Sequence, residues 1–196
     1  MDLRPYRPGD RAALADICVR TGADGADATN LLREPTLLPT VYLEPYLELA
    51  PALATVLTVA DAPAGYVVGV ADTLAFEAEC ERAWWPSARE RHPRDPAAPP
   101  RDAALLRLIH EPERTSPEVA GPYPAHLHVD LLPVAQGRGG GRRLLERLFD
   151  QLRDLDVPGV HLGVGAANPG ARAFYERLGF TVLEADDGGA LLARRL

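Results

Sequence analysis

Residues 125–155 read AHLHVDLLPVAQGRGGGRRLLERLFDQLRDL and decide the fold. In the first eight residues, Ala125 to Leu132, apolar and mostly polar side chains alternate, which is the period of a strand whose two faces pack differently. The loop Gln136–Gly141 follows, and after it leucine and phenylalanine recur at helical spacing. A helix that begins at a glycine-rich loop presents unpaired N–H groups and the positive end of its dipole. The sequence therefore predicts an anion site, suited to phosphate, where the strand passes into the helix.

Three arginines beside this loop, Arg138, Arg142 and Arg143, add positive charge at the predicted anion site. An ordinary strand-to-helix turn is the alternative interpretation, because glycine-rich turns are common. Two other phosphate loops fit less well: the chain has no lysine for a Walker A loop, and a dinucleotide fingerprint counted from Gly137 meets Arg142 where glycine is required. A protein that binds NAD or ATP is therefore a third and weaker hypothesis.

The N-terminal half predicts a short strand, a helix, two short helices and a hairpin. The predicted ranges are strand 3–6, helix 11–20, two helices between residues 31 and 49, and strands 53–60 and 66–71. Residues 61–65, Asp-Ala-Pro-Ala-Gly, predict a hairpin loop of about five residues.

The middle of the chain carries a proline-rich segment between predicted helices. Asp72 is predicted to cap a helix that reaches Trp84. The segment at about residues 86–101 is rich in proline and arginine and is interpreted as an irregular insertion. The remaining predictions are helix 102–110, loop 111–124, strand 160–164, helix 169–178 ended by Gly179, and closing strands 181–183 and 190–193.

Two motifs together resemble a known family. Gln136-x-x-Gly139-x-Gly141 has the Q/R-x-x-G-x-G/A form of the GNAT superfamily of acetyl-CoA-dependent N-acetyltransferases, and residues 168–180, NPGARAFYERLGF, resemble that family's N-x-x-A-x-x-F-Y-x-x-x-G-F segment. The resemblance implies a single α/β domain with a mixed, mostly antiparallel sheet and helices on both faces. It also implies that the sheet splays between the strand ending near Leu132 and strand 160–164, with the cofactor in the gap.

A narrower resemblance concerns residues 5–10, 84–86 and 126–133. They resemble the acetyltransferase-like domain of eukaryotic O-GlcNAcases and its free-standing bacterial relatives. The eukaryotic domain lacks a convincing acetyl-CoA loop, whereas this chain keeps all three motif positions. Acetyl transfer from acetyl-CoA to a primary amine is therefore the leading hypothesis, and an acetyl-CoA-binding pseudoenzyme or interaction module is the alternative.

The resemblance implies which residues hold acetyl-CoA. They are Leu131, Leu132, Val134, Gln136, Gly137, Arg138, Gly139, Gly140, Gly141, Arg142, Asn168 and Tyr175. Tyr175 corresponds to the family tyrosine that gives a proton to the departing thiolate. The alternatives are a core tyrosine for Tyr175, a helix cap for Asn168 and simple solvation for the arginines.

A base must remove a proton from the acceptor, because only a free amine attacks a thioester. His126, His128 and Asp130 share one face of the predicted strand. Asp130 is expected to point into the cleft as a base or as an anchor for the ammonium group, and histidine has the better intrinsic pKa, near 6.5. The alternative is a strand face that is only hydrated or hydrogen-bonded.

Several aromatic and acidic residues are candidates for the acceptor site. The resemblance places Trp84, Trp85, Tyr42 and Tyr46 beside the acceptor cleft, although a tryptophan pair lies more often in a core or an interface. Asp24 and Asp27 are two loop acids that could attract a cationic acceptor or be merely solvated.

Composition limits the remaining functions. A net charge of −7 with 46% hydrophobic residues predicts a globular protein without a broad surface for nucleic acid or anionic membranes. No apolar run reaches the length of a membrane span. Cys18 and Cys80 lack metal or disulfide spacing, so both are predicted to be buried in a cytoplasmic protein that needs no metal. The amine acceptor and a possible homodimer stay open.

Overall fold

The computed structural model describes all residues, 1–196, and contains one seven-stranded sheet. The strands are β1 Asp2–Pro5, β2 Thr55–Val59, β3 Ala62–Val70, β4 Ala125–Leu131, β5 Gly159–Gly165, β6 Thr181–Ala185 and β7 Gly189–Arg195. They are ordered β1-β2-β3-β4-β5-β7-β6. Only β4 and β5 pair in parallel, while the other neighbours are antiparallel. The predicted mixed, mostly antiparallel sheet is confirmed.

Nine α-helices cover the two faces of this sheet. They are α1 Arg11–Thr21, α2 Leu37–Tyr42, α3 Glu44–Leu49, α4 Thr73–Glu79, α5 Trp85–Arg91, α6 Pro100–His110, α7 Pro117–Ala120, α8 Gly140–Arg153 and α9 Pro169–Arg177. None of them has the length and apolar character needed to cross a bilayer.

Two separate cores lie on opposite faces of the sheet. Tyr66 and Val68 of β3 pack with α1, α2, α3 and α6, whereas Val67, on the opposite face of the same strand, packs with α8 and α9. The alternation of side chains along each strand produces this division. Cys18 and Cys80 are both buried in the first core, as predicted.

The two parallel strands separate soon after they meet. Pairing between β4 and β5 is limited to Ala125 with Val160 and His126 with His161, although both strands continue for several residues. The predicted splay is confirmed, and it opens a gap in the middle of the sheet. The Leu132 N–H bonds to the Ala64 carbonyl. The N–H of Leu131, its neighbour, therefore turns the other way, towards the gap.

The hairpin prediction was wrong in its loop. Strand β3 begins at Ala62, and the turn consists of Ala60 and Asp61, both with positive φ (48° and 66°). Two such residues form a turn whose twist matches that of paired strands. Residues 62–65 of the predicted loop lie within β3 instead, where the register shifts beside Pro63.

The proline-rich segment is more regular than predicted. Helix α5 covers Trp85–Arg91, and α6 begins at Pro100. Pro86 lies in the first turn of α5, where its missing N–H removes no helical bond. The five residues before α5, Cys80–Trp84, form a π-helical turn that joins it to α4. Likewise the predicted loop 111–124 contains the short helix α7.

Candidate active site

A large cavity of about 980 Å³ occupies the gap between β4 and β5. One end is formed by the loop that precedes α8, with Gln136, Gly137, Gly139 and Gly140 among its lining residues. The other walls come from β4, β5, α9 and the segment after α1. The motif residues of the predicted cofactor site are therefore brought together in one cavity.

The loop before α8 has the backbone geometry of an anion site. Gly139 precedes the helix with φ +77°, a value that disfavours every residue with a Cβ. At Gly140 a Cβ would lie 2.8 Å from Leu57 and 3.1 Å from the Ala135 carbonyl oxygen, so the helix can approach β2 only without a side chain there. Gln136 Nε2 donates to the Leu131 carbonyl at 2.8 Å and joins the loop to the end of β4. The first turn of α8 leaves N–H groups without helical partners, and Gly140 and Gly141 of that turn line the cavity.

The positive charges near the loop are arranged differently from the prediction. Arg142 lines the cavity, but its Nε is paired with Glu146 at 2.6 Å. Arg143 donates to the Met1 carbonyl at 2.8 Å. Arg138 is exposed and makes no ion pair, and its side chain lies outside the lining. Arg177 lines the cavity and was missed, because the second motif does not specify that position.

Two residues of the second motif line the same cavity. Asn168 accepts from the Ala171 N–H at 3.0 Å and caps α9, which confirms the cap interpretation without excluding contact with a ligand. Tyr175 is 8% exposed, and its hydroxyl has no protein partner yet is not sealed off. Burial first, and then the charge of Asp130, raises the pKa of Tyr175. The phenol therefore stays protonated at neutral pH.

Asp130 lines the cavity, but its carboxylate is not free. Thr21 Oγ1 donates to Oδ1 at 2.9 Å, and the Tyr66 hydroxyl makes a short bond to Oδ2. Burial raises the pKa of Asp130, and the two hydroxyl donors oppose this rise. Asp130 therefore lies at the cleft as expected, and each of its oxygens already accepts a hydrogen bond from a hydroxyl group of α1 or β3.

A chain of hydrogen bonds on one face of β4 links Thr73, through His126 and Tyr46, to His128. Thr73 Oγ1 donates a hydrogen bond to the Pro124 carbonyl oxygen at 2.7 Å. The proton of the threonine hydroxyl is therefore used in this bond. Thr73 Oγ1 therefore accepts from His126 Nδ1 at 2.8 Å. His126 Nε2 is then unprotonated and accepts from the Tyr46 hydroxyl at 2.7 Å. The oxygen of that hydroxyl is left to accept from His128 Nε2 at 3.0 Å.

These bonds assign the tautomer of His128. Its Nε2 carries the proton, so Nδ1 carries the lone pair. Nδ1 has no protein partner and is not among the enclosed polar atoms. Burial lowers the pKa of His128 to about 4, and burial together with the neighbouring histidines His128 and His161 lowers that of His126 well below its usual value. Both rings are therefore neutral at neutral pH, and His128 presents an available base.

A second, smaller cavity of about 320 Å³ lies on the other side of His128. Tyr42, Tyr46 and Trp85, three of the four aromatic residues predicted to lie beside an acceptor cleft, contribute to its walls. Trp84 does not: it is 6% exposed, donates from Nε1 to the Thr40 carbonyl and belongs to the core, which is the alternative interpretation.

Of the four remaining candidate residues, only one lines either cavity. Asp24 lines the larger cavity, where its carboxylate covers Gly165. Asp27 is exposed and bonded to Thr29. Leu132 packs against the core that contains α1, and Val134 is 47% exposed, so neither side chain lines a cavity. No group of three or more potential ligands converges on a metal position.

The fold and the two motifs define an acetyltransferase of the GNAT type, and the comparisons agree. The profile of the acetyltransferase (GNAT) family matches residues 65–180, more than half of the chain. The chain therefore belongs to this family. Its membership supports acetyl-CoA as the co-substrate.

Several known proteins are similar to this chain. The crystal structure of SsHAT has 45% identity and a TM-score of 0.91, and the match covers 99% of this chain and 97% of that one. The structure of yncA from Salmonella typhimurium with acetyl-CoA has 17% identity and a TM-score of 0.56, covers 100% of this chain and 94% of that one, and shows the fold alone. Two mycothiol acetyltransferases match over shorter segments. That of Beutenbergia cavernae is 53% identical over 89 residues, and that of Rhodococcus erythropolis 40% over 78 residues. These segments cover 41% and 40% of this chain but only 29% and 25% of the two relatives.

Proposed function

We propose that the protein transfers the acetyl group of acetyl-CoA to a primary amine by direct attack within a ternary complex. The observation that carries the proposal is the position of His128, whose ring lines both the cofactor cavity and the smaller cavity. An amine in the smaller cavity and a thioester in the larger one would meet beside its free Nδ1. Binding both partners in one place turns a bimolecular reaction into an effectively unimolecular one.

The glycine loop is proposed to hold the phosphates of acetyl-CoA. Backbone N–H groups of Gly140 and Gly141 at the start of α8 would bind the pyrophosphate. The N–H of Leu131, turned towards the gap, would donate to the thioester carbonyl oxygen and stabilise the negative charge that develops there. Arg138, Arg142 and Arg177 supply positive charge near the entrance.

An acceptor that arrives as an ammonium ion first loses one proton to solvent, because only the free amine attacks the thioester. The reaction then forms an N–C bond, breaks a C–S bond and moves one further proton from nitrogen, by way of His128 and solvent, to sulfur. His128 Nδ1 accepts a proton from the acceptor nitrogen. A neutral histidine with a low pKa can do so because this nitrogen becomes strongly acidic as its lone pair forms the new bond. We assign this role to His128 and not to Asp130, whose two oxygens are already bonded.

Tyr175 is proposed to donate a hydrogen bond to the departing sulfur. A thiol has a pKa near 8.5, well below that of the buried phenol, so complete proton transfer from Tyr175 to the thiolate is unfavourable. The hydrogen bond alone stabilises the negative sulfur, and solvent completes the protonation. This is a weaker role than that of the proton donor expected from the family resemblance.

The substitution Tyr175→Phe is expected to lower turnover by roughly ten- to a thousand-fold, because one hydrogen bond to the thiolate is lost. Affinity for acetyl-CoA, measured by calorimetry, should change little. Because the phenol stays protonated, no basic limb below about pH 10 should disappear from the rate profile. Tyr123→Phe, outside both cavities, is the matched control. Unchanged turnover at saturating substrates would show that Tyr175 only packs.

The substitution Asp130→Asn separates a base from a positioning residue. An amide cannot accept from Thr21 and Tyr66 as a carboxylate does, so we expect the free energy of unfolding to fall by about 1–3 kcal/mol. Turnover of the folded variant should fall less than ten-fold. Denaturant titration and steady-state kinetics measure the two effects. A hundred-fold loss of turnover with unchanged stability would instead make Asp130 the base.

The proposed activity is tested by measuring thiol release from acetyl-CoA with a panel of amines, beside calorimetric binding of acetyl-CoA. Release that depends on an amine, with the acetylated product identified by mass spectrometry, is the expected result. Binding without turnover on any amine would support the interaction module instead. Binding of NAD or ATP without binding of CoA would support the nucleotide-binding hypothesis.

The proposal extends to the subgroup, the location and the oligomeric state of the protein. The sequence resemblance to the bacterial relatives of the O-GlcNAcase acetyltransferase-like domain supports a catalytic member of that group, because the glycine loop is intact. A cytoplasmic location is proposed from the two free, buried cysteines. A homodimer is proposed as the alternative to a monomer, and sedimentation distinguishes them.

A further inference from the structure

We infer that the smaller cavity selects a compact primary amine with an apolar, ring-bearing body and without a carboxylate or phosphate group, and that Gly163 sets the size limit beside His128. This inference rests on the proposed function and names the class of acceptor. It follows from the connection between the cavities, the walls, the charges and the missing side chain at one position.

The two cavities adjoin at a small set of residues. Leu127, His128, Leu162 and Gly163 line both of them. An acceptor in the smaller cavity therefore reaches the gap between β4 and β5 past His128 and Gly163. No other part of the smaller cavity lines the cofactor cavity.

The walls of the smaller cavity are mainly aromatic and apolar. Tyr46 and Phe76 stack with ring centroids 4.7 Å apart, and Tyr42 and Trp85 add two further rings. The volume of about 320 Å³ lies at the lower end for small-molecule sites. Such walls suit a flat apolar body of modest size.

The polar groups of the smaller cavity differ in their free bonding capacity: the Tyr42 hydroxyl and Thr115 Oγ1 have no protein partner, whereas the histidines farther inside are partly or fully bonded. His126 is saturated by Thr73 and Tyr46. His161 Nδ1 donates to the Tyr123 carbonyl at 2.7 Å, which leaves His161 Nε2 as an acceptor without a protein partner. An aminosugar would also place hydroxyl groups against the aromatic wall of Tyr46, Phe76 and Trp85, and each hydroxyl that loses water there without a partner costs free energy. The aromatic wall therefore favours a ring without hydroxyl groups over a sugar ring.

The charges of the cavity disfavour anionic acceptors. Its only arginine, Arg114, is bonded to Glu81 at 3.0 Å and to the Glu77 carbonyl at 3.0 Å. Glu77 in turn accepts from the Thr115 N–H at 2.9 Å. Glu113 is exposed and has no hydrogen bond or ion pair. One unpaired carboxylate attracts an ammonium group and repels a carboxylate.

Gly163 leaves the space beside His128 open. It lies on β5 two residues after His161 and so faces the same side of the sheet as the histidines. A Cβ built at Gly163 meets no atom within 4 Å, and its φ is not positive. A side chain at this position would therefore fill the passage without straining the strand.

The experiment compares 2-phenylethylamine with phenylalanine, which differs from it by the carboxylate, and with glucosamine. We expect kcat/KM for 2-phenylethylamine to exceed those for the other two by at least 100-fold. Glu113→Arg should lower the ratio of kcat/KM for 2-phenylethylamine to kcat/KM for phenylalanine by at least ten-fold. Glu90→Arg, which changes an exposed carboxylate outside the cavity, should leave it unchanged.

The size limit is tested with Gly163→Val and the amines ethylamine and 2-phenylethylamine. The ratio of kcat/KM for ethylamine to that for 2-phenylethylamine should rise at least ten-fold, whereas damage to cofactor binding would lower both values equally. Equal or better use of phenylalanine or glucosamine by the unmodified protein would overturn the acceptor class, and an unchanged ratio would overturn the role of Gly163. Absence of thiol release with every amine, with acetyl-CoA still bound, would overturn the proposed function itself.

Discussion

Replacing His128 with alanine is expected to lower turnover by about two orders of magnitude or more, because the residue that accepts the amine proton is removed. Affinity for acetyl-CoA should be preserved, since the glycine loop is untouched. Steady-state kinetics at saturating acetyl-CoA, together with calorimetry, measure both quantities. The effect should be larger than that of Asp130→Asn.

The role of the hydrogen-bond chain is tested with Tyr46→Phe. Removing this hydroxyl frees His128 Nε2 and lets the ring turn or change tautomer, so turnover should fall by about ten-fold or more with a changed acidic limb of the rate profile. His110→Ala, on α6 and outside both cavities, is the control and should behave as the unmodified protein.

Turnover of His128→Ala within two-fold of the unmodified protein would eliminate His128 and direct attention to Asp130.

The substitution Gly139→Val is expected to weaken acetyl-CoA binding at least 100-fold. A β-branched residue cannot hold φ +77°, so the loop must move and its N–H groups no longer face the phosphates. Gly9→Val is a matched control, because Gly9 also has open space around it but lies outside both cavities with φ not positive. Calorimetry measures affinity, and circular dichroism checks that each variant is folded.

A second variant keeps this prediction testable if Gly139→Val fails to fold. Arg138 is exposed and unpaired, so Arg138→Glu should leave the fold intact while reversing the charge beside the loop. Affinity for acetyl-CoA should fall about ten-fold or more, and less at high salt. Undiminished affinity in both variants would contradict the assignment of the loop to the cofactor.

The parts of the fold that sequence predicted correctly are those specified by neighbouring residues. The alternation before Leu132 and the helical spacing after Gly141 each define one element, and the glycines between them define the turn. The residues that cap α4 and α9, Asp72 and Asn168, were likewise found from their immediate sequence. Periodicity and capping act within a few residues, so a single sequence is enough to detect them.

The site features that sequence missed depend on distant pairs. Tyr46 lies 80 residues from His126 and 82 from His128, and Thr21 lies 109 residues from Asp130. No local pattern indicates which of the three polar residues on β4 keeps a free lone pair. His128 can be chosen only after the donors and acceptors of Thr73, His126 and Tyr46 have been assigned.

The hairpin error has a similar cause. Gly65 was interpreted as part of a turn, whereas in β3 a Cβ at this position would lie 2.9 Å from the Asp130 carbonyl oxygen. The glycine permits close approach of two strands and has no role in the turn. Ala60 and Asp61, which do form the turn, lack the glycine that usually marks one.

The early separation of β4 and β5 leaves two strand edges without a neighbouring strand in the middle of the sheet. Each strand keeps its outer neighbour, β3 or β7, but beyond His126 and His161 the facing edges have backbone donors and acceptors without partners. Unpaired strand edges invite an extended chain to add to them, from another molecule or from a partly folded copy. A bound ligand that satisfies these groups would therefore protect the protein from self-association as well as supply the acetyl group.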